Sequence, residues 1–248
     1  MRATSTADDA TTLVWLHPEP SERKPRLTRA QIARAAIEIA DAQGFDAVTM
    51  KRIAGALGAG TMTLYYYVRS KADLVALMQD AVFEDVVVRA EALPSDWREA
   101  VTLISRRSRD ALVGHPWTIA WLNQAPFGPN AMRHYEQSLA ALAGTTLSYP
   151  QKAEVTAILD DYVAGNAAHT IEGLDRLRAA SRNPDLLAQA KTYGDALIST
   201  GTFPEIEALA EHTRKAGGTP GPLARMDRQF EIGLAALLDG IERRYGIR

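Results

Sequence analysis

Between Thr49 and Val68 the chain reads Thr-Met-Lys-Arg-Ile-Ala-Gly-Ala-Leu-Gly-Ala-Gly-Thr-Met-Thr-Leu-Tyr-Tyr-Tyr-Val. Three adjacent tyrosines a few residues past a Gly-Ala-Gly turn leave few folding solutions. Successive side chains on a helix lie about 100° apart, so three neighbouring rings cannot all enter one small core. With Leu64 inward, Val68 lies on nearly the same face. Tyr65 and Tyr67 then flank that face, while Tyr66 and Met62 point away from it. The outward surface carries Met62, Tyr66 and parts of Thr61, Thr63, Tyr65 and Tyr67, with no full charge. Lys51 and Arg52 border it on one side, Arg69 and Lys71 on the other. A neutral, hydrogen-bonding, aromatic face framed by cations suits a DNA major groove. The rim meets phosphates, and the face meets base edges and thymine methyls. The preceding segment, capped by Thr49 and stopped by Gly58, supplies the first helix of a helix-turn-helix. Ala54 and Gly55 are expected to let the two helices approach closely.

Charge is distributed to match. The 248 residues sum to a formal charge of -2. Between Ser21 and Asp73, however, nine Lys and Arg stand against five Asp and Glu, whereas residues 74–248 carry 18 against 22. A basic N-terminal module on an acidic body is the electrostatic pattern of a nucleic-acid binder. Cysteine is absent, which removes disulfides, thiolate metal sites and a cysteine nucleophile. No apolar run reaches the roughly 18–20 residues of a membrane span. The polar, acidic N-terminus does not resemble a signal peptide, so a cytoplasmic location is expected.

Helical periodicity prevails along the whole chain, and strand-like alternation is missing. Thr28 and Gln31 open the first helix as a capping box, and Gly44 ends it. Ser70 and Asp73 make a similar opening for the fourth helix, read as Ala72–Arg89. Beyond Pro94 the helices lengthen: Trp97–Val113, a short turn at Trp117–Asn123, Ala131–Ala143, a long run from Gln151 to Ala180, and restarts at "RNPDLL" and "GTFPEI". "KAGGTPGP" is the clearest linker. The final helix, Leu223–Tyr245, keeps a 3/4 apolar spacing. The expected fold is all-α: an N-terminal three-helix helix-turn-helix domain joined to a larger helical ligand-binding and dimerisation domain. The expected divisions are a tail over 1–24, a DNA-binding domain over 25–72 and an effector and dimerisation domain over 73–248. The tail is read as either disordered or folded back.

The segment "TMKRIAGALGAGTMTLYYYVRSKADLVALM" resembles the DNA-binding domain of the TetR family of bacterial repressors. The Thr-led second helix, the Leu-Gly before the turn, "TLYYYV" and "SKADL" carry the likeness. "HPW…GPNAM…YVAGNAAHTIE" and "FEIGLAALLDGIE" more loosely resemble the tetracycline-repressor-like C-terminal domain. The resemblance implies a homodimer, a two-fold symmetric operator and release of DNA on binding a small molecule. It implies base or phosphate contact for Lys51, base reading by Thr61, Met62 and Thr63, and phosphate contact for Tyr65, Tyr67 and Lys71. Tyr66 matches an aromatic position at the groove. Tyr67 departs from the His often found at its place. For Lys71 the dipole of the fourth helix would also favour an anion.

One recognition helix reads only a few base pairs, and specific binding normally needs two, about 34–36 Å apart. A dimer is therefore expected on physical grounds as well. Phe230, Leu234, Leu237, Leu238 and Ile241 are too many apolar residues for a surface helix. Gly233 beside them, and Gly165 and Ala168 on the presumed partner helix, would allow close approach in a four-helix interface. The competing reading is burial within one subunit. A cavity for an effector should show aromatic groups with a few polar ones. Trp117, Trp121, Phe127, Tyr135, Tyr162, Asn166 and His169 fit that description.

Enzyme chemistry finds little footing. Asp160 and Asp161 are adjacent, point about 100° apart and do not form a catalytic carboxylate pair. The histidines lack metal spacing, and there is no phosphate loop or nucleophile elbow. No cofactor and no metal are expected. The rival readings are a DNA-binding dimer governed by a protein partner without a small-molecule effector, and a helical binding protein or enzyme.

Overall fold

The computed structural model describes residues 13–17, 27–122, 128–215 and 221–247. Every regular element among them is helical, as the periodicity predicts. They fall into two compact units, one running up to Ala168 and including Ile247, the other from His169 to Gly246.

In the first unit, α1 (Arg29–Gln43), α2 (Met50–Ala56) and α3 (Thr61–Tyr65) form the helix-turn-helix bundle. Both expected capping boxes are present. The Gln31 N–H donates to Thr28 Oγ1 at 3.1 Å and the Thr28 N–H donates to Gln31 Oε1 at 2.9 Å. At α4 (Lys71–Val86), the Asp73 N–H donates to Ser70 Oγ at 3.0 Å and the Ser70 N–H donates to Asp73 Oδ2 at 3.2 Å. α2 ends in a Schellman motif: the Ala59 N–H bonds the Ala54 carbonyl and the Gly58 N–H bonds the Gly55 carbonyl. Gly58 sits at φ +62°, a left-handed conformation that the motif demands and glycine adopts freely. Gly55 departs from expectation. A Cβ built there would meet nothing within 4 Å, so the buried Ala54 sets the close approach alone.

Ile32, Ala36, Ile53, Leu64, Val68, Leu74, Leu77 and Met78 make the core of this bundle. α4 therefore gives its first half to the DNA-binding core. The boundary expected between 72 and 73 lies inside the first unit, near the start of this helix. α4 ends at Val86, short of the expected Arg89, because the chain turns extended at Val87 (φ -63°, ψ 125°). α5 (Trp97–Gly114), a short 3-10 helix (Pro116–Trp121), α6 (Pro129–Ala141) and the first part of α7 (Tyr149–Arg182) complete the unit. Residues 13–17 also belong to it: Val14 is buried in the bundle core and Trp15 packs against it. This part of the tail folds back; residues 1–12 and 18–24 lie outside the described residues.

The second unit holds the rest of α7, then α8 (Pro184–Ile198), α9 (Pro204–Lys215) and α10 (Pro222–Tyr245). No residue of α8 or α9 is buried. α10 turns Phe230, Leu234, Leu238 and Ile241 inward, each no more than 4 % exposed. These four, expected at a dimer interface, are core residues of the single chain. Their 3/4 spacing marks a buried face but does not say whose interior it enters.

Candidate functional site

The recognition segment is shorter than the tyrosine run suggests. α3 spans only Thr61–Tyr65, and the chain then tightens into i→i+3 bonds, Tyr66 N–H to the Thr63 carbonyl and Tyr67 N–H to the Leu64 carbonyl. In such a turn residues three apart eclipse. Tyr67 is thereby carried onto the Leu64 face and is only 6 % exposed. The expectation that Tyr67 contacts phosphate is corrected: its ring is a core group. Its carbonyl accepts a hydrogen bond from Arg29 Nε at 3.2 Å, which ties α1 to the end of α3. Met62 and Tyr66 are 80 % and 76 % exposed, while Thr63 and Tyr65 are exposed and Thr61 half-buried. The neutral outward face therefore stands with Tyr67 removed from it.

The bordering cations differ in freedom. Lys51 is exposed. Arg52 bonds Gln43 Oε1 and donates to the Ala47 carbonyl at 3.4 Å, so it braces the end of α1. Lys71 is exposed, with Nζ 5.0 Å from the centre of the Phe45 ring. Asp73 Oδ2 accepts the N–H groups of Arg69 and Ser70, so a carboxylate already occupies the N-terminus of α4. A phosphate there would rely on the Lys71 side chain more than on the helix dipole.

The remainder of the first unit encloses a cavity of about 370 Å³. Its walls come from α4 (Gln79, Val82, Phe83, Val86), α5 (Ser108, Ala111, Leu112), the 3-10 segment and its end (Thr118, Leu122), α6 (Ala131, His134, Tyr135) and α7 (Ala153, Ala157, Asp160, Asp161, Val163, Ala164). Most of this lining is apolar. The polar groups are few and ordered. The Val88 N–H donates to Gln137 Oε1 at 2.9 Å, so the Gln137 amide nitrogen faces His134 Nδ1 at 3.2 Å. His134 Nδ1 is then the acceptor and Nε2 carries the proton. Burial lowers the His134 pKa to about 4, which keeps the ring neutral. Asp160 and Asp161 are exposed on the cavity wall, and partial desolvation by that wall, then the neighbouring Asp161, raise Asp160 to about 6.

Of the described residues expected to line an effector site, only Tyr135 does so. Trp117 donates through Nε1 to Asp41 Oδ1 at 2.9 Å and stacks on Phe45 at 6.1 Å, and Trp121 lies 5.3 Å from the same ring. Both tryptophans fasten the 3-10 segment to the DNA-binding bundle. Asn166 Oδ1 accepts from Arg109 Nε at 2.8 Å, outside the cavity lining. Tyr162 is half-buried and His169 exposed, and neither lines the cavity. Phe127 lies outside the described residues. Sequence reasoning missed Gln79, Phe83, His134, Asp160 and Asp161. The i, i+3/i+4 spacing of Gln79, Val82, Phe83 and Val86 was the signal available for the α4 wall.

α4 joins the two sites. Its N-terminal half is core to the DNA-binding bundle, and its C-terminal half is cavity wall. Asp80, midway along it and buried, accepts the N–H groups of Asn130 and Ala131 at 2.8 and 3.0 Å, and its own carbonyl accepts from Asn130 Nδ2 at 3.2 Å. Burial raises the Asp80 pKa, and these hydrogen bonds oppose the rise. Gly128 permits the approach, since a Cβ there would collide with Asp80 and Trp15. Among the described residues, no helix is long and apolar enough to cross a membrane.

Residues 32–78 match the family described as bacterial regulatory proteins, tetR family, and residues 91–245 match the tetracyclin repressor-like C-terminal domain. The HTH-type transcriptional repressor DrrR1 of Streptomyces coeruleorubidus is 31 % identical over 221 residues, which cover 88 % of this chain and 78 % of that one. An HTH-type transcriptional regulator of Saccharopolyspora erythraea is 35 % identical over 167 residues, 66 % of this chain and 70 % of its own. Among solved structures, ActR of Streptomyces coelicolor in complex with actinorhodin aligns with a TM-score of 0.63 at 27 % identity, covering 88 % of this chain and 96 % of ActR. Apo ActR aligns at 0.62 and 26 % identity, covering 89 % and 99 %. These families and relatives are transcriptional regulators and not enzymes.

Proposed function

This chain belongs to the TetR family of bacterial DNA-binding regulators, and on that premise we propose that it is a homodimeric repressor released from a palindromic operator by a small molecule. Met62 and Tyr66, with Thr61, Thr63 and Tyr65 beside them, read the groove, while Lys51 and Lys71 hold phosphates. The effector occupies the cavity between α4, α5, α6 and α7. The observation that carries this reading is the double use of α4, as core of the DNA-binding bundle at one end and cavity wall at the other. A ligand that presses on Phe83 and Val86 acts on the same rigid element that positions α3. Such a ligand shifts the equilibrium only as far as it distinguishes the two states. The ligand-bound structure of ActR supports a ligand-responsive reading.

The test is binding of the purified protein to the DNA flanking its own gene, against scrambled DNA of equal length, across a salt series. A competitor-resistant complex on an inverted repeat supports the reading, and its salt slope counts phosphate contacts. Equal binding to both DNAs, lost by moderate salt, would leave only a basic surface and overturn it.

A further inference from the structure

The cavity carries negative charge without a counter-charge. Asp160 and Asp161 line it, and no Lys or Arg does. Among the described residues, neither carboxylate has an ion-pair or hydrogen-bond partner. His134 cannot supply the missing cation, because burial holds its ring neutral. Both side chains are exposed where they line the cavity, so they give its wall a negative potential that water only partly screens. The site is therefore built to receive a positive charge from outside the chain.

A second observation points the same way. Among the described residues, Ser108 Oγ and Thr156 Oγ1 are buried hydroxyls without a hydrogen-bond partner, and Thr156 is only 3 % exposed. Both line a recess of about 20 Å³ that shares Ser108, Asp160 and Val163 with the main cavity. A recess of that size holds one water or one small polar group. The lone pairs of its hydroxyls beside the Asp160 carboxylate suit a multiple donor such as an ammonium group, while their O–H groups can turn to the carboxylate. A metal ion is a poorer fit. Asp160 and Asp161 diverge on the helix, and no group of three or more His, Cys, Asp or Glu gathers among the described residues.

We propose that the effector is an amphipathic amine: an apolar body lying along Phe83, Val86, Leu112 and Leu122, with a protonated amine seated against Asp160 beside the recess, and Asp161 adding to the negative potential of the same wall. This rests on the reading of the cavity as the effector site. The charge contrast decides the class, because an anionic ligand would be repelled by two carboxylates and a neutral one would gain nothing from them.

The experiment uses the full-length protein and three fluorescent probes that share one ring system: 9-(aminomethyl)anthracene, protonated near neutral pH, 9-anthracenemethanol, and 9-anthracenecarboxylate. Binding is read by anisotropy at pH 7.5 for the wild type and for Asp160→Asn and Asp161→Asn. The expected order is amine, alcohol, carboxylate. The amine should lead the alcohol by roughly fivefold, the factor that about 1 kcal/mol from a solvent-exposed ion pair gives. The Asn variants, which keep shape and hydrogen bonding but lose charge, should bring the amine down toward the alcohol. Probes that bind without that order, or a preference unchanged in both variants, would overturn the amine assignment and leave the cavity as an effector site. Failure of all three probes to bind would instead overturn the cavity reading, and the assignment with it.

Discussion

Asp160 lines the cavity with its side chain exposed, so its raised pKa places only a small, pH-dependent penalty on the fold. Its carboxyl is raised from 3.8 to about 6 by partial desolvation and by Asp161. The fold thus disfavours the ionised form, with a penalty that is full above about pH 6 and absent below the unfolded value. Asp160→Asn should therefore melt at a higher temperature than the wild type at pH 7.5, with the gain shrinking toward pH 5. Scanning calorimetry at both values checks this, and an equal gain at both would refute the charge penalty. The tyrosines allow a second test at the same scale. Tyr66 is a surface ring and Tyr67 a core ring. Tyr66→Ala should abolish specific DNA binding with little change in melting, whereas Tyr67→Ala should cost roughly 3 kcal/mol of stability, as large aromatic truncations in cores do. Their ordering was only half legible in the sequence. The α-helical step of about 100° places Tyr66 outward correctly, but nothing in the residue types announces the tightened turn that carries Tyr67 under Leu64. The two aspartates were legible as residues and illegible as a site, because a cavity is made by four helices that the sequence does not bring together.

At the scale of elements, local signals did most of the work. Thr28 with Gln31, Ser70 with Asp73, and Gly58 past α2 each satisfy terminal backbone groups within a few residues, so their effect is readable without knowing the fold. What α4 does is a different matter. Its contacts with α1, α5 and α6 are long-range, and Asp80 gives no sign in sequence that it will cap another helix. Asp80→Ala would strand two backbone donors at the start of α6, the Ala131 N–H buried and the Asn130 N–H half-buried, and remove a charged acceptor, a loss of roughly 2–3 kcal/mol. Because this bond anchors the cavity side of α4, a stabilised background carrying Asp80→Ala should still bind a cavity ligand but respond to it with a smaller loss of DNA affinity. Titration of operator DNA with and without ligand measures that ratio, and an undiminished ratio would show that α4 transmits without the Asp80 link. Trp117 and Trp121 teach a related lesson. Aromatic content in a helical body suggests a ligand pocket, yet here both indoles meet Phe45 and fix the body to the DNA-binding bundle.

At the scale of the whole molecule, the exposed apolar surface asks for a second copy of the chain. α8 and α9 bury no residue, yet they present Leu186, Leu187, Tyr193, Ile206 and Leu209 to solvent. Two helices that bury nothing and expose several large apolar side chains are the candidate interface. A recognition segment as short as Thr61–Tyr65 also reads too few bases for specific binding alone, and two-fold pairing supplies the second half-site. The residues first suggested for that interface divide accordingly. Phe230, Leu234, Leu238 and Ile241 are committed to the chain's own interior, while Gly165 is exposed and Ala168, Gly233 and Leu237 are half-buried, leaving these four available. The expected dimer covers the apolar face of α8 and α9. Sedimentation should give twice the 27.0 kDa of the chain, and Leu187→Glu combined with Ile206→Glu should return the monomer mass, since both side chains are exposed and neither supports the core. The monomeric variant should keep its helical content, lose specific operator binding and show about half the salt slope, because half the phosphate contacts are gone. A variant that stays dimeric would move the interface to Leu237 and Gly165, where Leu237→Glu is the matching test.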